Sequence, residues 1–316
     1  MAPSLEARDL TRRFGSFVAV DRLNLRVEGS KCVGFLGPNG AGKTTSLKMF
    51  TDLIFPSEGE AFVNGISVQK DRKSALSSCG ALIESPEIYG SLSPREALEL
   101  VGALRGMERR EIRSRTDEVL AEVKMSEWAD QKVGRFSKGM KQRLNIASTL
   151  LSDPEVLLLD EPSTGLDPRG MAEVRQIIRE LKREGRLIFF SSHILSEVVD
   201  VCDEVALLNK GKLLFFDTLA NVSARVSGGG VSVDAEFLRP VEDDVAAREI
   251  ASIPGVVGWS RLDARRLTVT ITGGPEARAK VLETVAAKRL GLLGFHESRN
   301  ALEDVYLREV SVGDSG

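Results

Sequence analysis

The segment Gly37-Pro38-Asn39-Gly40-Ala41-Gly42-Lys43-Thr44 constrains this chain more than any other. It fits G-x-x-x-x-G-K-[ST] and stands between an apolar strand-like run, residues 31–36, and a helical pattern, Lys43–Phe50. A strand that turns through glycines into a helix start lets successive backbone N–H groups face one anion, and a Cβ would block that approach. The lysine brings a point charge to the β- and γ-phosphates of a nucleotide. The Thr44 hydroxyl is placed for Mg²⁺, and the helix directs its positive end at the phosphates. The local pattern therefore predicts an α/β nucleotide-binding domain.

A second strand supports this expectation. Val156-Leu157-Leu158-Leu159 is apolar throughout and ends in Asp160-Glu161, which delivers two carboxylates to the C-terminal strand edge where α/β sheets bind ligands. Asp160 is placed to hold Mg²⁺, and Glu161, pointing differently from its neighbour, to accept a proton from an attacking water. Strand-length runs at 155–159 and 186–190 alternate with helical patterns up to about residue 220, the signature of a sheet with crossover helices. Ser93-Pro94-Arg95-Glu96 reads as a capping box, and Asp167-Pro168 as the start of a helix ending near Gly185. Asn64-Gly65 and Asn209-Lys210-Gly211 are turn signals that predict antiparallel hairpins beside the parallel core.

Composition narrows the alternatives. Lys and Arg number 43 against 46 Asp and Glu, for a formal net charge of −3, so no overall basic field recruits nucleic acid and none is expected as a partner. No apolar run approaches the roughly 20 residues of a membrane span, and the acidic first turns at 1–10 lack the order of a secretory signal. A cytoplasmic chain is expected. Cys32, Cys79 and Cys202 are odd in number and widely spaced, and read as reduced core residues.

The chain resembles the ATP-binding cassette (ABC) family, the ATPase subunits of ABC transporters, over about residues 4–220. The segment that carries the likeness is Phe136-Ser137-Lys138-Gly139-Met140-Lys141-Gln142-Arg143, which is similar to the family signature Leu-Ser-Gly-Gly-Gln, with Lys138 and Met140 as departures. Physically it is a second serine- and glycine-bearing helix start, hence a second anion cradle.

The resemblance implies a P-loop cassette with a mixed sheet core, an antiparallel β subdomain and a helical signature subdomain, which binds and hydrolyses ATP with Mg²⁺. It implies a head-to-tail homodimer in which Ser137 and Gly139 of one subunit close on the γ-phosphate held by the other. The phosphates would be held by Asn39, Gly40, Gly42, Lys43, Thr44 and Thr45. Phe14 would stack on adenine, Asp167 would cross the dimer interface or cap its helix, and His193 would act as the switch histidine beside catalytic Glu161. Glu84 stands where cassettes usually carry glutamine, as in bacitracin-resistance and lantibiotic-immunity ATPases. There it is expected as a metal-side, catalytic and permease-coupling residue. Without a span of its own, the chain would power a separate transmembrane permease as an exporter subunit, held to the cytoplasmic face of the membrane through that partner. A soluble cassette acting as a regulatory switch is the alternative.

Residues 227–230, Ser-Gly-Gly-Gly, have linker composition. The expected organisation is therefore a cassette over 1–221, a linker over 222–230 and a small α+β domain over 231–316. In that domain, strands at 231–237, Val256–Arg261, Arg266–Thr272 and 292–298, with helices at 241–252, 275–289 and 300–310, fit a ferredoxin-like β-α-β-β-α-β unit. Leu302-Glu303-Asp304-Val305-Tyr306-Leu307 resembles the terminal motif of accessory domains behind exporter cassettes.

Overall fold

A computed structural model describes residues 2–84, 87–226, 230–242 and 246–297. The chain divides into two compact units, residues 1–216 and 217–316.

The first unit is built on two sheets. Strands β1 (Ser4–Phe14), β2 (Phe17–Glu28), β4 (Glu58–Val63) and β5 (Ile66–Ser67) form a sheet in the order β2-β1-β4-β5, antiparallel throughout. The β4–β5 turn is the Asn64-Gly65 pair, at φ of 50° and 75°, the two positive dihedrals that a tight I′ hairpin needs. The second sheet has the order β10-β9-β3-β8-β7-β6. Its strands are β3 (Cys32–Leu36), β6 (Cys79–Leu82), β7 (Val156–Leu159), β8 (Leu187–Ser192), β9 (Glu204–Asn209) and β10 (Lys212–Thr218). The pairs β3–β8, β3–β9, β6–β7 and β7–β8 are parallel, and β3, β7 and β8 are buried along their whole length, as parallel strands covered on both faces must be.

Helix α1 (Lys43–Phe50) lies on this sheet through Phe50, whose ring centroid is 6.2 Å from that of Phe189. Phe189 in turn sits 5.1 Å from Phe35 on β3. After α2 (Arg72–Ser77), the helices α3 (Pro94–Leu104), α4 (Arg109–Glu122) and α5 (Lys138–Leu150) pack on one another. The expected capping box at α3 is formed: the Glu96 amide donates to Ser93 Oγ and the Ser93 amide to Glu96 Oε2. Helix α6 (Pro168–Arg183) ends at its C-cap Glu184, just before Gly185, and α7 (Leu195–Val201) follows β8. All three cysteines are free and buried.

The second unit begins with α8 (Leu219–Val226), which packs on strand β11 (Gly230–Phe237). The division between units falls at Phe216/Asp217 rather than at 221. The first part of the stretch expected as linker, residues 222–226, is the end of α8. Strands β11, β12 (Val256–Arg261), β13 (Arg266–Thr272) and β14 (Leu292–Glu297) form an antiparallel sheet ordered β12-β13-β11-β14. The helix Pro275–Ala287 covers it through Val281 and Val285, which join Val233, Phe237, Val269 and Ile271 in a small core. The helix expected over 241–252 is found among the described residues only as a π-helical turn, Ala246–Ile250. The segments 300–310 and 302–307 lie outside the described residues.

Candidate active site

The parallel register brings three strand ends to one edge. Leu36 of β3 lies beside Ser192 of β8, and Leu159 of β7 beside Phe190, so Gly37, Asp160 and His193 all leave the sheet at its C-terminal side. The loop 37–42 then turns into α1. Gly42 is its N-cap, at φ 106°, with no side-chain cap bond. A Cβ there would sit 2.5 Å from the Ala19 carbonyl oxygen, so only glycine fits. At Gly40, φ is +79° and nothing lies within 4 Å of the Cβ position, which leaves the loop's outer side open to an approaching group. Asn39 beside it is exposed, and Thr45 is half-buried in the first turn of α1. The first-turn amides of an uncapped helix have no intrahelical acceptor, and they form an anion cradle with the helix dipole behind them.

Lys43 is buried. Its Nζ donates to the carbonyls of Gly37 (2.8 Å) and Pro38 (3.1 Å) and lies 3.5 Å from Glu161 Oε1. Burial pulls its pKa below the usual lysine value, and the charges of Glu161 and Asp160 partly offset this. Thr44 Oγ1 donates to the carboxylate of Asp160, at 3.1 and 2.9 Å from its two oxygens, and Ser191 Oγ donates to Asp160 Oδ1 at 2.6 Å. A hydroxyl and a carboxylate at this spacing suit a hard cation. No group of three or more His, Cys, Asp or Glu is gathered for a metal among the described residues, so an ion here would take phosphate and water oxygens as its remaining ligands. Mg²⁺ favours that arrangement, and Thr44 and Asp160 fit it.

Glu161 has φ +44°, an uncommon backbone region for a glutamate, which separates its side chain from that of Asp160. Its amide donates to Ser191 Oγ (2.9 Å), and its Oε2 accepts from Thr164 Oγ1 (2.8 Å) and is hydrogen-bonded to His193 Nδ1 (3.1 Å). Burial pushes its pKa up, but the Thr164 hydrogen bond and the electrostatic interactions with His193 and Lys43 outweigh burial and hold it below the ordinary value. Glu161 is therefore a carboxylate at neutral pH, able to take a proton.

The structure brings Asn39, Gly40, Gly42, Lys43, Thr44, Thr45, Asp160, Glu161 and His193 to this edge. Glu84 is placed differently: it follows β6 at φ +58°, 68% exposed at its side chain, with Oε1 2.6 Å from Lys48 Nζ on the last turn of α1. Ser137 and Asp167 are N-caps of neighbouring helices. Ser137 Oγ accepts from the Met140 amide (3.2 Å) and Asp167 Oδ1 from the Gly170 amide (2.9 Å). A Cβ on Gly139 would meet Gly170 Cα at 3.6 Å, an ordinary contact. Phe14 lies on the β1–β2 hairpin, where Gly15 at φ +58° makes the turn, and the residue is 48% exposed.

Sequence reasoning missed Ser191 and Thr164, which fix the two carboxylates, and Lys48, which holds Glu84. The signal for Ser191 is a hydroxyl ending an otherwise apolar strand. Its partner follows only from the β7–β8 register, which sets Phe190 beside Leu159.

A glycine loop opening an uncapped helix, a hydroxyl–carboxylate pair and a strand-end glutamate bonded to a histidine define a nucleotide-hydrolysing P-loop domain. Comparison with known proteins narrows the class. The ABC transporter family profile matches residues 20–164. The bacitracin transport ATP-binding protein BcrA of Bacillus licheniformis is 42% identical over 215 residues, covering 68% of this chain and 69% of that protein. The daunorubicin resistance ATP-binding protein DrrA3 of Streptomyces coeruleorubidus is 32% identical over 296 residues, covering 94% and 92%. The solved ATP-binding subunit of an ABC transporter superposes with a TM-score of 0.63 at 28% identity, over 71% of this chain and 93% of that one. The chain belongs to the ABC transporter ATP-binding family, whose members hydrolyse ATP.

Proposed function

We propose that this chain is the ATPase subunit of an exporter, powering a separate transmembrane permease at the cytoplasmic face of the membrane. The observation that carries the catalytic part is the convergence of Lys43, the Thr44–Asp160 pair and the Glu161–His193 pair on one strand edge. Loop amides and Lys43 bind the β- and γ-phosphates. Thr44 and Asp160 hold Mg²⁺, which when bound neutralises phosphate charge. Glu161 takes the proton of the attacking water as its oxygen bonds the γ-phosphorus and the bond to ADP breaks, and His193 and Thr164 keep the carboxylate aimed. Phe14 stacks on adenine. The exporter reading is supported by the names of BcrA and DrrA3, a transport and a resistance protein, and by the likeness to DrrA3 along nearly the whole chain. Among the described residues no helix is long and apolar enough to cross a membrane, which suits a subunit that works through a partner.

Hydrolysis takes place in a head-to-tail homodimer, with Ser137, Gly139 and Asp167 facing the partner's nucleotide. The Cβ position of Gly139 has no neighbour closer than 3.6 Å, which leaves that side open to a second molecule. Glu84 leaves Lys48 to reach the metal side when nucleotide binds, and couples that movement to the permease. The second unit is a ferredoxin-like domain, supported by its strand order β12-β13-β11-β14, in which β11 and β12 run parallel with β13 between them. The test is ATPase activity against protein concentration, with and without the permease in vesicles. Specific activity should rise with concentration and rise further with the permease; a flat, unstimulated rate would sink the dimer and the coupling together.

A further inference from the structure

The exposed Phe14 ring is not free on both faces. The Arg12 guanidinium carbon lies 4.5 Å from the ring centroid, within the range of a cation–π contact. The guanidinium is fixed in turn, because its Nη1 donates to the Phe55 carbonyl at 2.7 Å, in the loop that follows α1. Arg12 Nε is buried and has no hydrogen-bond partner. Neighbouring bonds hold the same strand: the Arg13 amide donates to Ser57 Oγ at 3.0 Å, and the Ser57 amide to the Thr11 carbonyl at 2.7 Å. A hairpin-tip phenylalanine would otherwise turn freely, and a base stacking on it would have to stop that motion at an entropic cost.

We propose that Arg12 is a positioning residue for the nucleotide base: it packs on one face of Phe14, ties that ring to the loop after the phosphate-binding helix, and presents the other face to adenine. This rests on the reading of Phe14 as the residue that stacks on the base. The resulting order is guanidinium, phenyl ring, purine. The side-chain contacts of Arg12 are to the Phe14 ring and the Phe55 carbonyl, so the effect of its loss is expected on base binding.

The experiment measures binding of Mg-ATP and of inorganic triphosphate, which has no base, to the full chain and to Arg12→Ala, Arg12→Lys, Phe14→Ala and the double variant Arg12→Ala/Phe14→Ala. Having to immobilise one otherwise mobile side chain on binding corresponds to about a 2- to 10-fold weaker Kd. Arg12→Ala should weaken ATP binding by that factor and leave triphosphate binding unchanged, Arg12→Lys should recover most of the loss, and Arg12→Ala should have no further effect once Phe14 is alanine. If Arg12→Ala leaves ATP binding unchanged or tightens it while Phe14→Ala weakens it, the positioning role is wrong and the guanidinium merely covers the face the base needs. If Arg12→Lys is as weak as Arg12→Ala, the charge over the ring is not what positions it. If triphosphate binding falls as much as ATP binding, the effect is a structural one on the phosphate loop and the proposal fails. If Phe14→Ala itself leaves ATP binding intact, the stacking reading fails, and the proposal with it.

Discussion

The two glycine-bearing helix starts of the first unit look alike in sequence and differ in what enforces them. At α1, the cap residue Gly42 is held at φ 106° against the Ala19 carbonyl, no side chain caps the helix, and the free amides face outward. At α5, Ser137 caps its own helix by accepting from Met140, and Gly139 could carry a Cβ without any neighbour closer than 3.6 Å. The first glycine is required by the chain's own fold, and so marks a phosphate cradle formed within one chain. The second is unexplained by anything inside the chain, which is what a surface shaped for a second molecule would show.

Substitution sharpens this contrast. Gly42→Ala forces a methyl into a backbone oxygen at a left-handed φ, and should cost about 2–4 kcal/mol of stability together with nucleotide binding. Gly139→Ala should unfold within about 0.5 kcal/mol of wild type, because it replaces glycine near a helix start by a better helix former. Its ATPase rate should nonetheless fall several-fold or more through loss of the ATP-bound dimer. Thermal melts beside sizing columns run with ATP separate the two. A Gly139→Ala protein that is destabilised yet dimerises normally would reverse the comparison.

Acidification offers a weaker probe of the α1 side. Because the Glu161 pKa is held below the ordinary glutamate value, the stabilisation from its contacts with Thr164, His193 and Lys43 is fully present above that value and is lost as pH falls through the lower, folded one. Any acid loss of activity due to Glu161 should therefore lie below the ordinary glutamate value, about 4.3. An acid limb near neutrality that disappears in Glu161→Gln would contradict the assignment. The smallest effect is expected at Glu84. Its ion pair with Lys48 is exposed, so Glu84→Gln should change stability by less than about 1 kcal/mol. It should still raise the Mg²⁺ concentration for half-maximal hydrolysis and blunt the response to the permease. If neither shifts, Glu84 serves only as the surface partner of Lys48.

Much of this site was legible because its chemistry is local. Residues 37–44, Asp160-Glu161, the Asn64-Gly65 turn and the Ser93–Glu96 cap are each decided by neighbours within a few positions, where steric and hydrogen-bonding rules act directly on the sequence. The contacts between Ser191 and Asp160, Lys48 and Glu84, and Arg12 and Phe55 depend instead on strand register and on where separate elements come to rest. No spacing rule encodes them. The unit boundary illustrates the same limit: the Ser-Gly-Gly-Gly composition at 227–230 reads as a linker, while the division falls at Phe216/Asp217, ahead of α8, which packs on β11.

The central claim is that Glu161 is the proton acceptor of an ATPase completed by two chains. Its most direct test is Glu161→Gln, which keeps the hydrogen-bonding shape and removes the charge. The variant should bind Mg-ATP as tightly as wild type, hydrolyse it about 10²–10⁴-fold more slowly, and elute with trapped ATP as a dimer. Wild-type turnover in that variant, or slowed turnover with no ATP-bound dimer at any protein concentration, would contradict the account.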